Sequence, residues 1–186
     1  FTIRMESFSN HFLISMPHMN DPIFSKSLIY MCENNPEGSL GLIINKPIIS
    51  QNAADILQKT GLENCKPTLE IYFGGPVNIE MGLFLHDTTY KTDGTLSVSN
   101  SISLTSNKQI VNDLKTGGGP KKFRFAMGYA GWDEGQLERE ILQNSWVSLS
   151  VESNFLFDDK VSKKWDEAFR IIGIDPLKLT TLSGRA

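Results

Sequence analysis

Short apolar runs, each bounded by turn-forming residues, dominate the first half of the chain. Residues 12–16 (FLISM), 27–32 (SLIYMC) and 39–45 (SLGLIIN) are separated by proline, glycine, asparagine and aspartate. Runs of this length with this punctuation are typical of buried or half-buried β-strands. Because only residues 33–38 separate the second run from the third, an antiparallel hairpin is favoured over a crossover. We therefore predict that these two strands pair.

Apolar residues recur at helical spacing in four later segments of the chain. The first and the last of these end at a glycine. Asn52 is placed to cap a helix that would end at Gly61. Apolar residues recur at helical spacing over residues 165–172, and Gly173 follows them. Both segments are predicted to be amphipathic helices that pack one face on the core.

The two helical segments between them begin with capping-box patterns. Ser106 with Gln109, and Asp133 with Gln136, have the spacing at which two side chains satisfy each other's backbone amides. The second box predicts a helix through Asn144. Its apolar Leu137, Ile141 and Leu142 are predicted to face inward, and its charged Glu138, Arg139 and Glu140 to face water.

Strands and helices are interleaved along the whole chain, but without a regular βαβ repeat. Such an order favours the α+β class, with a mixed sheet that carries helices on it. We predict a single domain. Further strands are expected at 69–73, 83–86, 96–98, 123–127 and 146–149.

Composition and charge narrow the classes of protein to which the chain can belong. It has 186 residues, 40% of them hydrophobic, which suffices for one buried core without a metal or disulfide. The net charge of −3 offers no overall attraction to a phosphate backbone. Cys32 and Cys65 form no C-x-x-C pair, and the histidines have no ligand spacing, so no metal site and no cofactor are predicted.

No apolar run approaches the length of a membrane-spanning helix, and no signal-peptide pattern is found. We therefore expect a cytoplasmic protein. If Met5 is the natural start, residues 1–4 are an upstream remnant and residues 5–186 form the domain. The alternative, that residues 1–4 are native, stays open.

Glycine-rich stretches and single reactive residues are the first places to look for chemistry. Neither Gly74-Gly75-Pro76 nor residues 117–120 has the spacing of a phosphate-binding loop, so a turn role is favoured for both. His86 lies at a strand end, where a hydrogen-bonded structural role is more common than a general-base role. Cys32 lies in an apolar run and is interpreted as a small buried hydrophobic residue.

Residues 128–140 (GYAGWDEGQLERE) form the densest cluster of polar and aromatic side chains. A glycine-hinged loop between a strand and a helix is a frequent ligand site, although caps and core aromatics also account for this cluster. No complete catalytic constellation is present, so no catalytic residue is predicted. The predicted ligand- or partner-binding residues are Gly74, Gly75, Pro76, His86, Tyr129, Trp132, Glu134 and Gln136.

Six stretches of the chain, in order, resemble the AlgH/YqgE family of small bacterial proteins. They are 10–17, 21–22 followed by 27–33, 41–47, 73–77, 128–140 and 144–146. The resemblance implies an α+β fold with a bifurcated, partly barrel-like mixed sheet surrounded by helices. It implies no catalytic residues and no cofactor, and the family name records a link with regulation of alginate production. Asp133 departs from the family pattern, which has a small residue there.

Three functions are compatible with these observations. The favoured one is a regulatory module that binds a small ligand or a protein through the two glycine-flanked loops. The second is a hydrolase-like enzyme that uses His86, Glu134 or Cys32. The third is a DNA-binding transcriptional regulator, against which stand the negative charge, the lack of a helix-turn-helix pattern and the absence of a Lys/Arg stripe.

Overall fold

The computed structural model describes residues 7–49, 51–64, 69–150, 152–158 and 160–178. These residues form a single α+β domain with a curled, half-barrel sheet, as predicted. The strands are β1 Phe12–Ser15, β2 Leu28–Asn35, β3 Gly38–Ile43, β4 Pro47–Ile48, β5 Ile71–Phe73, β6 Val77–His86, β7 Leu96–Ser97, β8 Ser103–Thr105, β9 Phe123–Asp133 and β10 Trp146–Leu149. The helices are α1 Gln51–Thr60, α2 Gln109–Thr116, α3 Gln136–Leu142, α4 Ser153–Phe157 and α5 Lys164–Ile171, with a 3₁₀ turn at Val161–Lys163.

The long strand β9 is where the sheet divides. Its last residues pair with β3, which continues through β2 and β1 to β10. Its first residues lie between β6, which is antiparallel to it, and β5, which is parallel to it. Two branches therefore share β9, and the predicted mixed, bifurcated sheet is confirmed.

The hairpin of β2 and β3 forms as predicted, with Tyr30 opposite Leu42. Alternate residues of these strands enter two different cores. Tyr30 and Leu42 pack with Phe169 of α5, whereas Ile29 belongs to the core that contains Leu137 of α3. Because both faces of this part of the sheet are covered by a core, the residues of its strands are apolar without alternation in the sequence.

Two predicted helix starts are wrong. Asn52 is the second residue of α1 and not its cap, and residue 50 lies outside the described residues. The Ser106–Gln109 capping box does not form, because α2 begins only at Gln109. The backbone N–H of Gln109 instead donates to Oδ1 of Asn107, 3.0 Å away. An asparagine two residues before an amide makes this local turn and so competes with the box.

The second capping box is half formed. The backbone N–H of Asp133 donates to Oε1 of Gln136 at 3.0 Å, but Asp133 still belongs to β9. The helix α3 starts after Gly135 and ends at Leu142, short of the predicted Asn144. Leu142 is 83% exposed, so its predicted inward position is wrong.

Glu138 and Glu140 are half-buried, although both were expected to face water. Glu138 accepts a hydrogen bond from Nδ2 of Asn34 at 3.2 Å, because α3 lies over the β2–β3 hairpin. The predicted helix ends at Gly61 and Gly173 are confirmed, since α1 stops at Thr60 and α5 just before Gly173. Among the helices in the described ranges, none is long and apolar enough to cross a membrane.

Candidate functional site

The two glycine segments that the sequence singled out meet in the structure. A Cβ on Gly75 would lie 2.1 Å from the carbonyl carbon of Tyr129, and one on Gly128 would lie 2.3 Å from the carbonyl oxygen of Gly75. The backbone N–H of Gly74 donates to the carbonyl of Met127 at 2.9 Å. These glycines therefore allow two backbones to cross in contact, which accounts for them without a bound anion.

The predicted binding residues differ in how far their side chains are free to contact a ligand. Pro76 and Glu134 are exposed, and the half-buried Tyr129 accepts a hydrogen bond from Asn78 at 3.4 Å. Trp132 is 6% exposed and packs in a core, and Gln136 is engaged in the half-formed capping box. Their assignment to ligand binding stays a prediction.

His86 is fully buried at the end of β6. Its Nδ1 lies 2.6 Å from the carbonyl oxygen of Asp87, so this nitrogen carries the proton. Its Nε2 then accepts from the hydroxyl of Thr105 on β8 at 2.7 Å. Burial lowers the pKa of His86, although the adjacent Asp87 opposes this effect. The imidazole thus joins two strands as a neutral group, in the structural role favoured from sequence.

The three residues of the hydrolase alternative lie in separate parts of the fold. Cys32 is 3% exposed in β2, and burial raises the pKa of its thiol, so the reactive thiolate is disfavoured. His86 pairs with Phe123 at the first residue of β9, whereas Glu134 follows its last residue. An eleven-residue strand is roughly 35 Å long when extended. Cys65 lies outside the described residues.

A break in the pairing of β6 with β9 creates an irregular, exposed surface. Val77 pairs with Tyr129, but the next paired residue, Gly82, already faces Met127. Residues 78–81 consequently loop out of the ladder, and we call them the β6 bulge. Because the loop points away from the sheet, Ile79 is 60% exposed and Met81 is 40% exposed.

The β6 bulge forms one wall of a groove of about 890 Å³, and α1 and α2 form the others. The floor consists of Phe84, Phe125 and Met127, which are each at least nine-tenths buried. The rings of Phe84 and Phe125 stack at 4.6 Å, and Phe125 covers the place where Gly82 has no side chain. The groove is thus lined by rigid apolar groups, as ligand-binding clefts commonly are.

Charged side chains surround this apolar floor. Among the described residues that line the groove are Lys59, Lys108 and Lys115, with Glu80 as the single acidic one. All four are exposed. The groove therefore carries a local excess of positive charge on a chain whose net charge is −3.

Hydrogen bonds hold α2 in place as a wall of the groove. The hydroxyl of Tyr90 donates to Oδ2 of Asp113 at 2.6 Å, and Nε2 of Gln109 donates to Oδ1 of the same carboxylate at 3.0 Å. These two donors lower the pKa of Asp113. Burial and the Asp113 carboxylate together raise the pKa of Tyr90 to about 12. The hydrogen bond between the Tyr90 hydroxyl and the Asp113 carboxylate is therefore expected to persist at neutral pH.

Residues 12–177 match the family model described as AlgH-like. The chain belongs to the AlgH-like family. Among bacterial relatives, it is 37% identical to a UPF0301 protein of Pseudoalteromonas translucida over 186 residues, covering 98% of this chain and 100% of that one. It is 38% identical to a UPF0301 protein of Ralstonia nicotianae, covering 96% and 95% of the two chains.

Two solved structures are similar to this AlgH-like chain. The solution structure of the AlgH protein from Pseudomonas aeruginosa is 32% identical, has a TM-score of 0.76, and is matched over 97% of this chain and 95% of that one. The crystal structure of a protein from Corynebacterium diphtheriae has a TM-score of 0.72 at 18% identity, with 90% and 88% of the chains covered, and supports the fold alone.

The groove of this AlgH-like protein was not predicted from the sequence. Its lysines come from α1, from α2 and from the residue just before α2, and its floor comes from two strands, so no local motif connects them. One local pattern pointed toward the groove. Ile79 and Met81 follow the Gly74-Gly75-Pro76 turn at the two-residue spacing of one strand face, next to the strand predicted at 83–86. The predicted loop therefore leads directly into the groove wall, although its own residues are not the floor.

Two buried polar side chains of this AlgH-like protein, Glu140 and Trp146, lie at the inner side of α3. Oε2 of Glu140 and Nε1 of Trp146 are both buried, and within the described ranges neither makes a hydrogen bond of ordinary geometry. The indoles of Trp132 and Trp146 nevertheless lie close enough to the Glu140 carboxylate to stabilise its charge. The indole of Trp132 meets that of Trp146 edge to face, with ring centroids 6.2 Å apart. Burial raises the pKa of Glu140, and the two indoles only partly oppose this effect.

We expect Glu140→Gln to stabilise the protein at pH 7 by about 1 kcal/mol, because it removes a charge from a poorly solvated place. A carboxyl group with a raised native pKa favours the folded state when protonated, and it costs stability as the pH rises through that pKa. The gain should therefore vanish below pH 4. Urea unfolding of both proteins at pH 3.5, 5 and 7 measures it; an equal difference at all three would contradict the assignment.

Proposed function

We propose that this AlgH-like protein is a cytoplasmic regulatory module that binds and does not catalyse, and that the groove is its binding site. The occupant we propose is an amphipathic helical segment of a partner protein. The observation that carries this proposal is the apolar floor of Phe84, Phe125 and Met127, which continues onto the exposed Ile79 and Met81.

The shape of the apolar surface favours a protein segment over an enclosed small molecule. Ile79 and Met81 extend the apolar floor outward along the β6 bulge, where a ligand buried in a closed pocket would not reach them. An amphipathic helix lays an apolar stripe along a groove and contacts its rim at the same time. Exposed apolar groups beside such a groove are typical of interaction sites.

Placement of the candidate catalytic residues supports binding over hydrolysis. Both ring nitrogens of His86 are engaged inside the fold, and Cys32 is buried in the core. Neither lines the groove. Among the described residues that line the groove, only the three exposed side chains of Lys59, Lys108 and Lys115 are lysines, which gives direct DNA binding little support.

Selection from a library of helical peptides of about 16 residues tests the proposal. The polar face of the library is fixed as glutamine, and the apolar face varies among Leu, Ile, Met, Phe, Ala and Ser. We expect enrichment of peptides with large apolar residues at i, i+3, i+4 and i+7. Fluorescence anisotropy should then show at least tenfold weaker binding to Met81→Asp, because a carboxylate in the apolar contact must be desolvated.

Leu142→Asp is the matched control, since Leu142 is 83% exposed on α3 and does not line the groove. It introduces the same charge and should leave peptide affinity within twofold. Failure to enrich any peptide that distinguishes Met81→Asp from Leu142→Asp would refute the groove as a binding site. Ester turnover by the wild-type protein that is lost in Cys32→Ser would favour the hydrolase alternative instead.

A further inference from the structure

Two lysines at the rim of the groove have a helical spacing. Lys108 is the N-cap residue just before α2 and already has helical φ and ψ angles, and Lys115 lies in the last turn of α2. Because they are seven residues apart, they lie on one face and two turns apart, about 10.5 Å along the helix axis. Val111 and Asn112 lie between them on the same face and also line the groove. One wall of the groove thus presents two positive charges with an apolar and an amide side chain between them.

The third lysine strengthens one end of this row. Nζ of Lys115 lies over Gly61, where a Cβ would be 2.8 Å from it. Lys59 precedes Gly61 by two residues at the end of α1 and lines the same groove. The Lys59 and Lys115 end therefore carries two positive groups, and the Lys108 end carries one.

We infer that the partner helix bound in the groove is acidic, with carboxylate side chains two turns apart (i and i+7) that flank its apolar stripe. This inference rests on the proposed function and adds the charge pattern of the partner. The acidic residue near the Lys59 and Lys115 end contacts two ammonium groups, and the other contacts Lys108.

The two-ended charge pattern distinguishes this occupant from a lipid. A fatty acid or a phospholipid has a single anionic end, and it would leave the positive charge at the opposite end of the groove unmatched. A helix with carboxylates at i and i+7 matches both ends, because its residues repeat with the same rise as those of α2. Glu80, on the bulge opposite α2, repels a carboxylate and so restricts the acidic face to the lysine side.

A second peptide library tests the charge pattern directly. Its apolar stripe is fixed as leucine, and the flanking positions vary among Glu, Gln and Lys. Selection on wild-type protein at low salt should enrich glutamate pairs at i and i+7. A selected peptide should bind at least tenfold more weakly when both glutamates are replaced by lysine, and 0.5 M salt should reduce its affinity severalfold.

Variants of the protein test whether the groove lysines bind the glutamates of the peptide. The triple variant Lys59→Gln, Lys108→Gln, Lys115→Gln should lose about tenfold in affinity for the glutamate peptide, while affinity for the all-glutamine peptide stays within twofold. Glu80→Gln is the control of opposite sign and should bind the glutamate peptide more tightly. All four substitutions affect exposed side chains, so the fold should be retained.

The outcomes separate this inference from the proposed function. Peptides that bind the groove with no preference for glutamate, and equally well to the triple variant, overturn the charge pattern and leave the binding module intact. No enrichment in either library overturns both. If no peptide binds, and laurate binds to the wild type but not to Met81→Asp, the occupant of the groove is a lipid and not a helix. Sedimentation could instead show a wild-type dimer that is lost in Met81→Asp. The occupant would then be a second copy of the chain, and the inference would be overturned.

Discussion

Gly75→Ala should abolish stable folding, with an expected loss of at least 4 kcal/mol in the free energy of unfolding. The added Cβ would lie 2.1 Å from the carbonyl carbon and 2.2 Å from the carbonyl oxygen of Tyr129. A backbone cannot move aside as a flexible side chain does, so β5, β6 and β9 would have to separate. Circular dichroism and urea unfolding measure the loss.

Gly94→Ala is the matched control for this prediction. Gly94 has a φ of 80°, but nothing lies within 4 Å of the position of its Cβ. The substitution should therefore cost only the backbone strain, about 1 kcal/mol. If Gly75→Ala were no more destabilising than Gly94→Ala, the close crossing of the two glycine segments would be wrong.

His86→Ala should destabilise the protein by about 3 kcal/mol. It removes a fully buried ring, so the Asp87 carbonyl loses the imidazole donor and the Thr105 hydroxyl keeps only its hydrogen bond with the Thr95 hydroxyl, at 2.9 Å. Each buried group that loses its hydrogen bond costs roughly 1–3 kcal/mol, and the cavity adds to this. Thr88→Ala, at an exposed site two residues along the chain, is a control expected to cost about 0.5 kcal/mol or less.

The pH dependence of stability gives a second measurement of the same group. Burial lowers the pKa of His86 in the native state, so its contribution is complete above the unfolded value of about 6.5. It is lost progressively as the pH falls below 6.5 toward the native pKa. The wild type should lose more stability than His86→Ala between pH 7 and pH 5. Parallel curves for the two proteins would show that His86 is solvated in the native state.

The groove and the glycine crossing have different consequences for function. Gly75 and Gly128 determine where β6 leaves β9, and the β6 bulge follows directly after this crossing. A substitution at the crossing should therefore impair binding only together with the fold. Substitutions at Met81 or at the lysines act on exposed side chains and should change binding alone.

Several features of the fold followed from the sequence because they depend on neighbouring residues. The β2–β3 hairpin is set by a short turn between two apolar runs, and the ends of α1 and α2 by the glycines after Thr60 and Thr116. The buried state of Cys32 followed from its apolar neighbours. The branched sheet was expected only from the resemblance to a family, since no local pattern encodes it.

Predictions failed where a local pattern competed with tertiary contacts. The pattern of α3 placed Leu142 inside, but the helix ends there. The chain continues to Ser145, whose carbonyl accepts a hydrogen bond from the N–H of Met16, just after β1, at 3.0 Å. Glu140 was expected in water, yet α3 packs its side chain against the two indoles beneath it.

The fold class, the central hairpin and the ends of α1, α2 and α5 followed from the sequence, which also singled out the two glycine segments but not their contact. The tertiary structure alone decided that β9 is shared by two branches, that residues 78–81 leave the ladder, and that Lys59, Lys108 and Lys115 face one groove. The physical reason is range: turns and caps are formed by residues a few positions apart, whereas the groove is assembled by long-range strand pairing that brings together residues from Ile56 to Met127.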